Sequence, residues 1–213
     1  MTEQKKQDHK EKMDSVYRNT RHFYDLTKPI FLYGRNELLD SIHPKVDETI
    51  CEIGCGTARN LIYLSKRYQN TKFIGMDASA LMLEIASKKI KKEKLTSQIK
   101  LIHGLAGIHE FQKKIDRMIF SYSLSMMSKP REILENCLDQ MPPGGTIHIV
   151  DFGDFKLWPG MFKSPTIKFL NLFEIFPKPS SIRDFETDKK YDLKYRVKLG
   201  GYSYMATLKL KGI

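Results

Sequence analysis

The sequence predicts an α/β fold with a seven-stranded, mostly parallel sheet, helices on both faces and an antiparallel hairpin at its C-terminal end. Short apolar segments alternate with amphipathic helical segments over residues 49–150, which is typical of a parallel sheet wound by helices. Two further β-like segments, 191–199 and 202–210, flank Gly200 and Gly201, which is the pattern of a β-hairpin. With 213 residues, of which 41% are hydrophobic, the chain is large enough to bury a sizeable core.

The alternating region contains five predicted strands and three predicted helices. The strands lie at 49–53, 72–76, 100–103, 116–121 and 146–150, and the helices lie at 58–68, 79–92 and 130–141. Apolar residues recur at helical spacing in the second of these helices, where Ser79 is the expected N-terminal cap. The turn 142–145, with the sequence Pro-Pro-Gly-Gly, separates the last helix from the fifth strand. An earlier stretch, 14–39, is predicted to be helical and interrupted at Pro29.

The domain organisation and the compartment follow from simple features of the chain. We expect one domain over residues 1–213, in which 1–44 form a helical cap or lid and 155–185 form an insert on the substrate or membrane side. The N-terminal residues lack the apolar stretch of a signal peptide, and no segment has the roughly 20 apolar residues of a membrane helix. The three cysteines and the scattered histidines show no metal-ligand spacing. We therefore expect a cytoplasmic protein with reduced thiols and no metal ion.

The chain carries a formal net charge of +11, and the excess is concentrated towards the C-terminal end. Residues 156–213 contain 12 of the 36 basic residues but only 5 of the 25 acidic residues. Such an imbalance favours an acidic partner, which can be a nucleic acid, an anionic membrane or an anionic substrate. A solvated charged surface without a partner is the alternative.

A glycine-containing loop, 52–58, follows the first predicted strand and precedes a helix. Gly54 and Gly56 allow a tight turn and the close approach of a ligand to the backbone. The dinucleotide-binding pattern requires a third glycine where this chain has Arg59, which argues against a pyrophosphate ligand. Asp77 ends the next strand, 21 residues after Gly56, at the spacing from which a carboxylate binds the hydroxyls of a ribose. The loop therefore predicts a nucleoside site.

Glu52 before the loop, the two glycines and Ala58 after it resemble the acidic-x-Gly-x-Gly pattern of class I methyltransferases, which have a Rossmann-like fold. The resemblance implies S-adenosyl-L-methionine as cofactor and S-adenosyl-L-homocysteine as product. Position by position, it implies the following cofactor-binding residues: Arg35, Glu52, Gly54, Cys55, Gly56, Asp77, Ala78, Met82, Leu105, Ala106, Ser121 and Tyr122. Leu105 stands where the family often has an aspartate for the adenine amino group, so that contact must use backbone groups or water. The Asn/Asp-Pro-Pro-aromatic motif of many base methyltransferases is absent after the fourth strand, so no nucleic-acid partner is expected.

A closer resemblance covers nearly the whole chain. The methyltransferase component of bacterial betaine-lipid synthesis (BtaB type) is similar to this chain in residues 17–27, 31–35, 55–61, 120–126, 149–154 and 200–204. The resemblance implies trimethylation of the amine of diacylglyceryl-homoserine, a lipid substrate. Two alternatives remain open, which are methylation of another small apolar molecule such as a quinone precursor, and an RNA-binding or RNA-modifying role.

Alignment of the amine with the methyl carbon is the main requirement of such a reaction, because an α-amino group with a pKa of roughly 7.7–8.0 is partly neutral at cytoplasmic pH. Aromatic faces stabilise a quaternary ammonium product, and arginine pairs with a substrate carboxylate. The candidates for such a pocket are Tyr17, Arg18, Arg21, Tyr24, Tyr33, Arg35, Tyr122 and Asp151. Arg35 can instead bind the cofactor's own carboxylate. Asp151 would orient the amine, or alternatively fix a loop or cap a helix.

The insert 155–185 mixes large apolar side chains with lysines. Aromatic residues such as Trp158 and Phe162 occur between lysines such as Lys156 and Lys163. This mixture suits an element at an anionic membrane surface, which predicts peripheral attachment to the inner face of the membrane. The alternative is a helix that covers the edge of the sheet and places its aromatic residues in the core.

Overall fold

The structure is a computed structural model, and it describes residues 32–211. Its strands are β1 (Thr49–Ile53), β2 (Lys72–Asp77), β3 (Ile99–His103), β4 (Arg117–Ser121), β5 (Thr146–Phe152), β6 (Tyr191–Lys198) and β7 (Ser203–Leu210). Within this part of the chain they form one seven-stranded sheet in the order β3-β2-β1-β4-β5-β7-β6. β1 to β5 are parallel, whereas β7 is antiparallel to both β5 and β6. The predicted mostly parallel sheet with a C-terminal hairpin is confirmed.

The helices occupy nearly the predicted positions in the alternating region. The described residues form α1 (Arg35–Ser41), α2 (Arg59–Arg67), α3 (Ala80–Lys92), α4 (Pro130–Asp139), α5 (Gly160–Asn171) and α6 (Ser180–Arg183). Ser79 caps α3, since its side chain accepts a hydrogen bond from the amide of Met82 at 3.3 Å. The strand predicted at 146–150 extends to Phe152 because β7 continues to pair with it there.

Helices cover both faces of the sheet, as predicted. On one face, α1, α2, α3 and α5 contribute buried residues such as Leu39, Leu61 and Leu170 to a single core. On the other face, α4 and α6 contribute residues such as Leu134 and Ile182. The strand order reverses between β1 and β4. In open α/β sheets, ligands bind in the crevice outside the carboxyl ends of the strands at this point.

The insert is partly buried against the sheet and partly exposed, and its role at a membrane stays a prediction. Phe155 is buried, and within α5 so is Leu170, so part of the insert covers the sheet. Met161 and Phe162 of the same helix are exposed. No helix among residues 32–211 is long and apolar enough to span a membrane.

Part of the predicted N-terminal cap falls outside the described residues. Tyr17, Arg18, Arg21 and Tyr24 all belong to that part of the chain. The organisation as a single domain with a cap at 1–44 therefore stays a prediction.

Candidate active site

A cavity of about 730 Å³ lies at the carboxyl ends of β1, β2, β3 and β4, where the strand order reverses. The loops that follow these strands form its wall, together with residues of α1, α2, α3 and α4. Every residue predicted to bind a cofactor lines this cavity: Arg35, Glu52, Gly54, Cys55, Gly56, Asp77, Ala78, Met82, Leu105, Ala106, Ser121 and Tyr122. The fold therefore brings these residues together, while their binding role remains a prediction.

Only some of the described residues predicted to form an acceptor pocket line this cavity. Tyr122 lines the cavity, and its hydroxyl donates a hydrogen bond to the carbonyl of Tyr33. The side chain of Tyr33 is exposed and is not part of the cavity wall. Asp151 is buried beneath the wall and does not line the cavity. Tyr17, Arg21 and Tyr24 lie outside the described residues.

The glycine loop is held against β2 by main-chain hydrogen bonds. The amides of Gly54 and Cys55 both donate to the carbonyl of Met76, at 2.8 and 3.0 Å. Gly54 has a φ of +73°, and a Cβ atom there would lie 2.6 Å from the Cβ of Ser123. Gly56 has a φ of +53°, and a Cβ atom there would meet nothing within 4 Å. Gly54 therefore permits close packing of the protein on itself, whereas Gly56 leaves room for a ligand.

Asp77, at the end of β2, joins the glycine loop to the loop that precedes α3. Its Oδ2 accepts from the amide of Gly56 at 2.7 Å, and its Oδ1 accepts from the amide of Ser79 at 2.9 Å. Burial raises the pKa of this carboxyl, while the amide donors lower it. Each carboxylate oxygen has a second lone pair, so a carboxylate held in this way can still accept hydrogen bonds from ribose hydroxyls.

Within residues 32–211, several buried polar atoms around the cavity have no hydrogen-bond partner. Glu52 accepts from the Nδ2 of Asn60 at 2.6 Å, but Glu52 Oε2, Asn60 Oδ1 and Arg35 Nε have no partner in this part of the chain. Buried polar groups in folded proteins nearly always have a partner, so these atoms indicate a polar ligand. The amino-acid end of S-adenosylmethionine carries an ammonium group and a carboxylate, which match the oxygen atoms and the guanidinium. The residues present therefore fit this cofactor.

The Glu52→Gln variant should be more stable than the wild type at alkaline pH. Burial is the main cause that raises the pKa of Glu52, to about 8, whereas a glutamate in an unfolded chain has a pKa of roughly 4.3. Because the folded state retains the proton, the wild type loses about 1.4 kcal/mol of stability for each pH unit between these two values. The amide has no such titration, and it can still accept from Asn60.

This difference can be measured by urea unfolding of the ligand-free protein at a series of pH values from acidic to alkaline. The exposed Glu110→Gln variant is the matched control and should follow the wild type throughout. If the free energy of unfolding changed with pH in the same way for Glu52→Gln and the wild type, Glu52 would be ionised in the folded state at neutral pH.

The loop after β4 is fixed by Asp151. Its Oδ2 accepts from the amide of Ser125 at 3.0 Å, and its Oδ1 accepts from the amide of Phe152 at 2.7 Å. Burial raises the pKa of Asp151 to about 6. Met126 and Met127 follow Ser125 and line the cavity. Of the two roles predicted for Asp151, the structure therefore contains the loop contact, and contact with an amine remains a prediction.

Two parts of the cavity wall were missed from the sequence. Glu132, Ile133 and Asn136 of α4 line the cavity, and Asn136 Nδ2 donates to the carbonyl of Gly107 at 3.2 Å. Nothing in the sequence distinguishes this face of α4 from a solvated one. Asn60 had a usable signal, because it is a polar residue one turn before the buried Leu64, on the apolar face of α2.

The described residues also bear on the expectations for metal ligands and cysteines. Residues 32–211 contain no group of three or more His, Cys, Asp or Glu side chains that could hold a metal ion. Cys51, Cys55 and Cys137 are free and buried, and burial raises the pKa of each thiol.

Comparison with known proteins agrees with this site. Residues 50–145, which include the glycine loop and Asp77, match the family described as "Methyltransferase domain". The demethylmenaquinone methyltransferase of Staphylococcus haemolyticus is 28% identical over 145 residues, which cover 65% of this chain and 59% of that protein. The chain therefore matches about three fifths of the length of this curated relative.

Solved structures show a similar fold at low identity. The plantazolicin methyltransferase BpumL, in complex with a monoazolic desmethylPZN analog and SAH, has a TM-score of 0.70 and 16% identity over 98% of both chains. A putative methyltransferase of Haloferax volcanii, solved in complex with the Trm112 methyltransferase activator, has a TM-score of 0.73 and 11% identity over 94% of this chain and 98% of that chain. At these identities the structures establish the fold alone.

The fold, the cavity and the matched segment lead to the same assignment. The sheet order and hairpin are those of a Rossmann-like methyltransferase fold. The matched segment 50–145 supplies most of the cavity wall. Residues 50–145 therefore match a methyltransferase domain, and the sheet around them has the Rossmann-like methyltransferase fold.

Proposed function

We propose that the protein transfers the methyl group of S-adenosylmethionine to the amine of a small molecule with an apolar part, and that diacylglyceryl-homoserine is this acceptor. One observation carries the proposal, namely that Arg35, a buried guanidinium whose Nε has no partner among residues 32–211, lines the same cavity as Asp77. A guanidinium fork binds a carboxylate in a fixed orientation. Both the methionine part of the cofactor and the homoserine headgroup carry a carboxylate beside an amine.

The bound cofactor would supply a methyl group on a sulfonium centre, and the residues of this chain would hold and orient both reactants. Asp77 would accept from the ribose hydroxyls, and Glu52 would face the ammonium group of the cofactor. Tyr122, whose ring packs edge-on against Phe152 with 4.7 Å between centroids, would offer an aromatic surface to the accumulating methyl groups. An α-amino group is partly neutral near pH 7, so alignment would be the main contribution of the protein.

Replacing Arg35 should separate its two possible partners. Arg35→Met removes the charge and the donors, and Arg35→Lys keeps the charge without the fork. We expect Arg35→Met to weaken one binding step by about tenfold or more, because hydrogen bonds to charged groups contribute about 1.5–3 kcal/mol. A fall in the calorimetric affinity for S-adenosylhomocysteine would assign Arg35 to the cofactor. An unchanged affinity for S-adenosylhomocysteine with a raised KM for the methyl acceptor would assign Arg35 to the acceptor.

The matched control is Arg196→Met, which removes an arginine that is 67% exposed on the edge strand β6. It should change neither quantity. If Arg35→Met also changed neither, the guanidinium would not contact a reactant and the observation behind the proposal would lose its force.

A quinone precursor is the second candidate acceptor. It is favoured by the similarity to a demethylmenaquinone methyltransferase, which is 28% identical over 145 residues. The apolar side chains of Leu32, Met126 and Met127 in the cavity wall would suit a ring as well as a lipid chain.

A labelled methyl-transfer assay distinguishes these acceptors. The full chain would be incubated with labelled S-adenosylmethionine and, separately, with diacylglyceryl-homoserine, a demethylated quinone and unmodified RNA. We expect label in the lipid, with mass spectrometry showing added methyl groups on its nitrogen. Transfer to the quinone alone would establish the second candidate instead, and transfer to RNA alone would refute both. With a lipid acceptor, the proposed location is the inner face of the membrane, with an anionic membrane surface as partner.

A further inference from the structure

Exposed apolar side chains are concentrated in the insert. Residues 155–178, called the docking segment below, contain five of the twelve large hydrophobic residues that are exposed within residues 32–211: Leu157, Met161, Phe162, Leu172 and Phe176. Two of them, Leu157 and Leu172, are 78% and 77% exposed. Single exposed apolar residues are ordinary on a protein surface, whereas several of them within one short segment are typical of a surface that contacts a partner.

The charge of the docking segment indicates the chemistry of that partner. The segment contains four lysines and one glutamate, and no acidic residue occurs between positions 155 and 173. Lys156, Lys163 and Lys168 form no ion pair with another residue of the described part of the chain. Large apolar groups among unpaired lysines complement a surface that presents phosphate groups above hydrocarbon.

The first end of the docking segment is bonded to the hairpin turn between β6 and β7. The amide of Phe155 donates to the carbonyl of Gly201 at 2.8 Å, and the amide of Leu157 donates to the carbonyl of Gly200 at 3.0 Å. The indole Nε1 of Trp158 donates to the carbonyl of Leu199 at 2.9 Å. Leu199 has a φ of +44° and is 52% exposed. A bulky residue in this conformation is strained. The three hydrogen bonds attach the start of the segment to the hairpin turn, where Leu157 and Leu199 are both exposed.

The second end of the docking segment is bonded to the wall of the cavity. The amide of Phe176 donates to the carbonyl of Ser125 at 2.8 Å. The Nζ of Lys178 donates to the carbonyl of Ser128, which lines the cavity, at 3.2 Å. The segment therefore runs from the hairpin turn to the cavity along the carboxyl edge of the sheet.

We infer that the docking segment binds an anionic lipid surface, with its exposed apolar side chains among the lipid headgroups and its lysines at the phosphates. This inference rests on the proposed function in one respect, since a lipid acceptor must be taken from a membrane. Docking along the segment would place the cavity wall at 126–128 beside the bilayer, so that an acceptor headgroup has a short path to the cavity.

Co-sedimentation with vesicles tests this inference. The full chain would be mixed with phosphatidylcholine vesicles that contain or lack phosphatidylglycerol, at low and at high salt. We expect sedimentation with the anionic vesicles at low salt and release as salt rises, because salt screens the lysines. The double variant Met161→Asp and Phe162→Asp should bind these vesicles at least about tenfold more weakly, which corresponds to about 1.4 kcal/mol.

The control is Val46→Asp, which places one aspartate on a residue that is 70% exposed and precedes β1, at the amino ends of the parallel strands. It should sediment like the wild type. Both proteins should bind S-adenosylhomocysteine with wild-type affinity, because none of the three residues lines the cavity, and this binding also shows that they fold.

The outcomes separate this inference from the proposed function. Vesicle binding that persists when no lipid acceptor is methylated would leave the inference standing and refute the proposed acceptor. Methylation of a short-chain, water-soluble acceptor without any vesicle binding would refute the inference alone. Equal binding of the double variant and the wild type to the anionic vesicles would also overturn it.

Discussion

Replacing Asp77 with alanine should weaken the binding of S-adenosylhomocysteine by about a hundredfold or more. Two hydrogen bonds from ribose hydroxyls to a carboxylate contribute about 1.5–3 kcal/mol each. The substitution also releases the amide of Gly56, which Asp77 holds at 2.7 Å, so the glycine loop loses one of its attachments to β2. Isothermal titration calorimetry on the full chain measures the effect directly.

Two further variants make the Asp77 result specific. Asp77→Asn keeps the shape of the side chain and an oxygen for the amide of Ser79, but it brings an NH₂ group towards the amide of Gly56. It should therefore bind more weakly than the wild type and more tightly than Asp77→Ala. Asp192→Ala, on the exposed edge strand β6, should bind normally. Unchanged affinity in Asp77→Ala would remove Asp77 from the ribose site.

Alanine at Gly54 should mainly lower the stability of the protein, whereas alanine at Gly56 should mainly weaken the binding of S-adenosylhomocysteine. Gly54→Ala should lower the free energy of unfolding by about 2–5 kcal/mol, because a side chain at φ +73° costs about 1–2 kcal/mol and overpacking against Ser123 adds about 1–3 kcal/mol. Urea unfolding of the ligand-free protein measures this loss. The Cβ of Ser123 cannot rotate away, so the loop or the strand end must move.

Gly56→Ala is the matched comparison, since its backbone is also left-handed but its new methyl group would meet no protein atom within 4 Å. It should lose only the conformational cost of about 1–2 kcal/mol in stability. Its affinity for S-adenosylhomocysteine should fall much more, because the methyl group occupies space beside the ligand. A large loss of stability with normal ligand affinity would contradict the roles that we assign to these glycines.

Most of the fold could be predicted because local patterns determine it. Alternating apolar segments located the first five strands, and the pair Gly200 and Gly201 located the hairpin. The predicted ends of helices and strands were less accurate where contacts with distant parts of the chain determine them. The extension of β5 to Phe152 depends on pairing with β7, which lies about fifty residues later in the sequence and leaves no local trace.

The candidate site was predictable where topology alone fixes it. Residues at or just after the carboxyl ends of parallel strands, such as Asp77, Ser121 and Gly56, must meet at one edge of the sheet. The wall formed by α4 was not predictable, because Glu132 and Asn136 have the composition of a solvated helix face. The contact between Asp151 and the amide of Ser125 depends on the conformation of a loop, which neither residue type reveals.

The attachment of the insert has a consequence for how such chains can diverge. Main-chain hydrogen bonds at its two ends depend on backbone conformation and not on the identity of most side chains. The fixed requirements are two glycines, since a Cβ atom at Gly153 would lie 2.2 Å from the carbonyl oxygen of Gly201, and one at Gly201 would lie 2.7 Å from the amide nitrogen of Lys156. No residue between the two attachment points lines the cavity. A chain that keeps these glycines can therefore exchange the sequence of the insert, by evolution or by grafting, while the glycine loop and Asp77 stay unchanged.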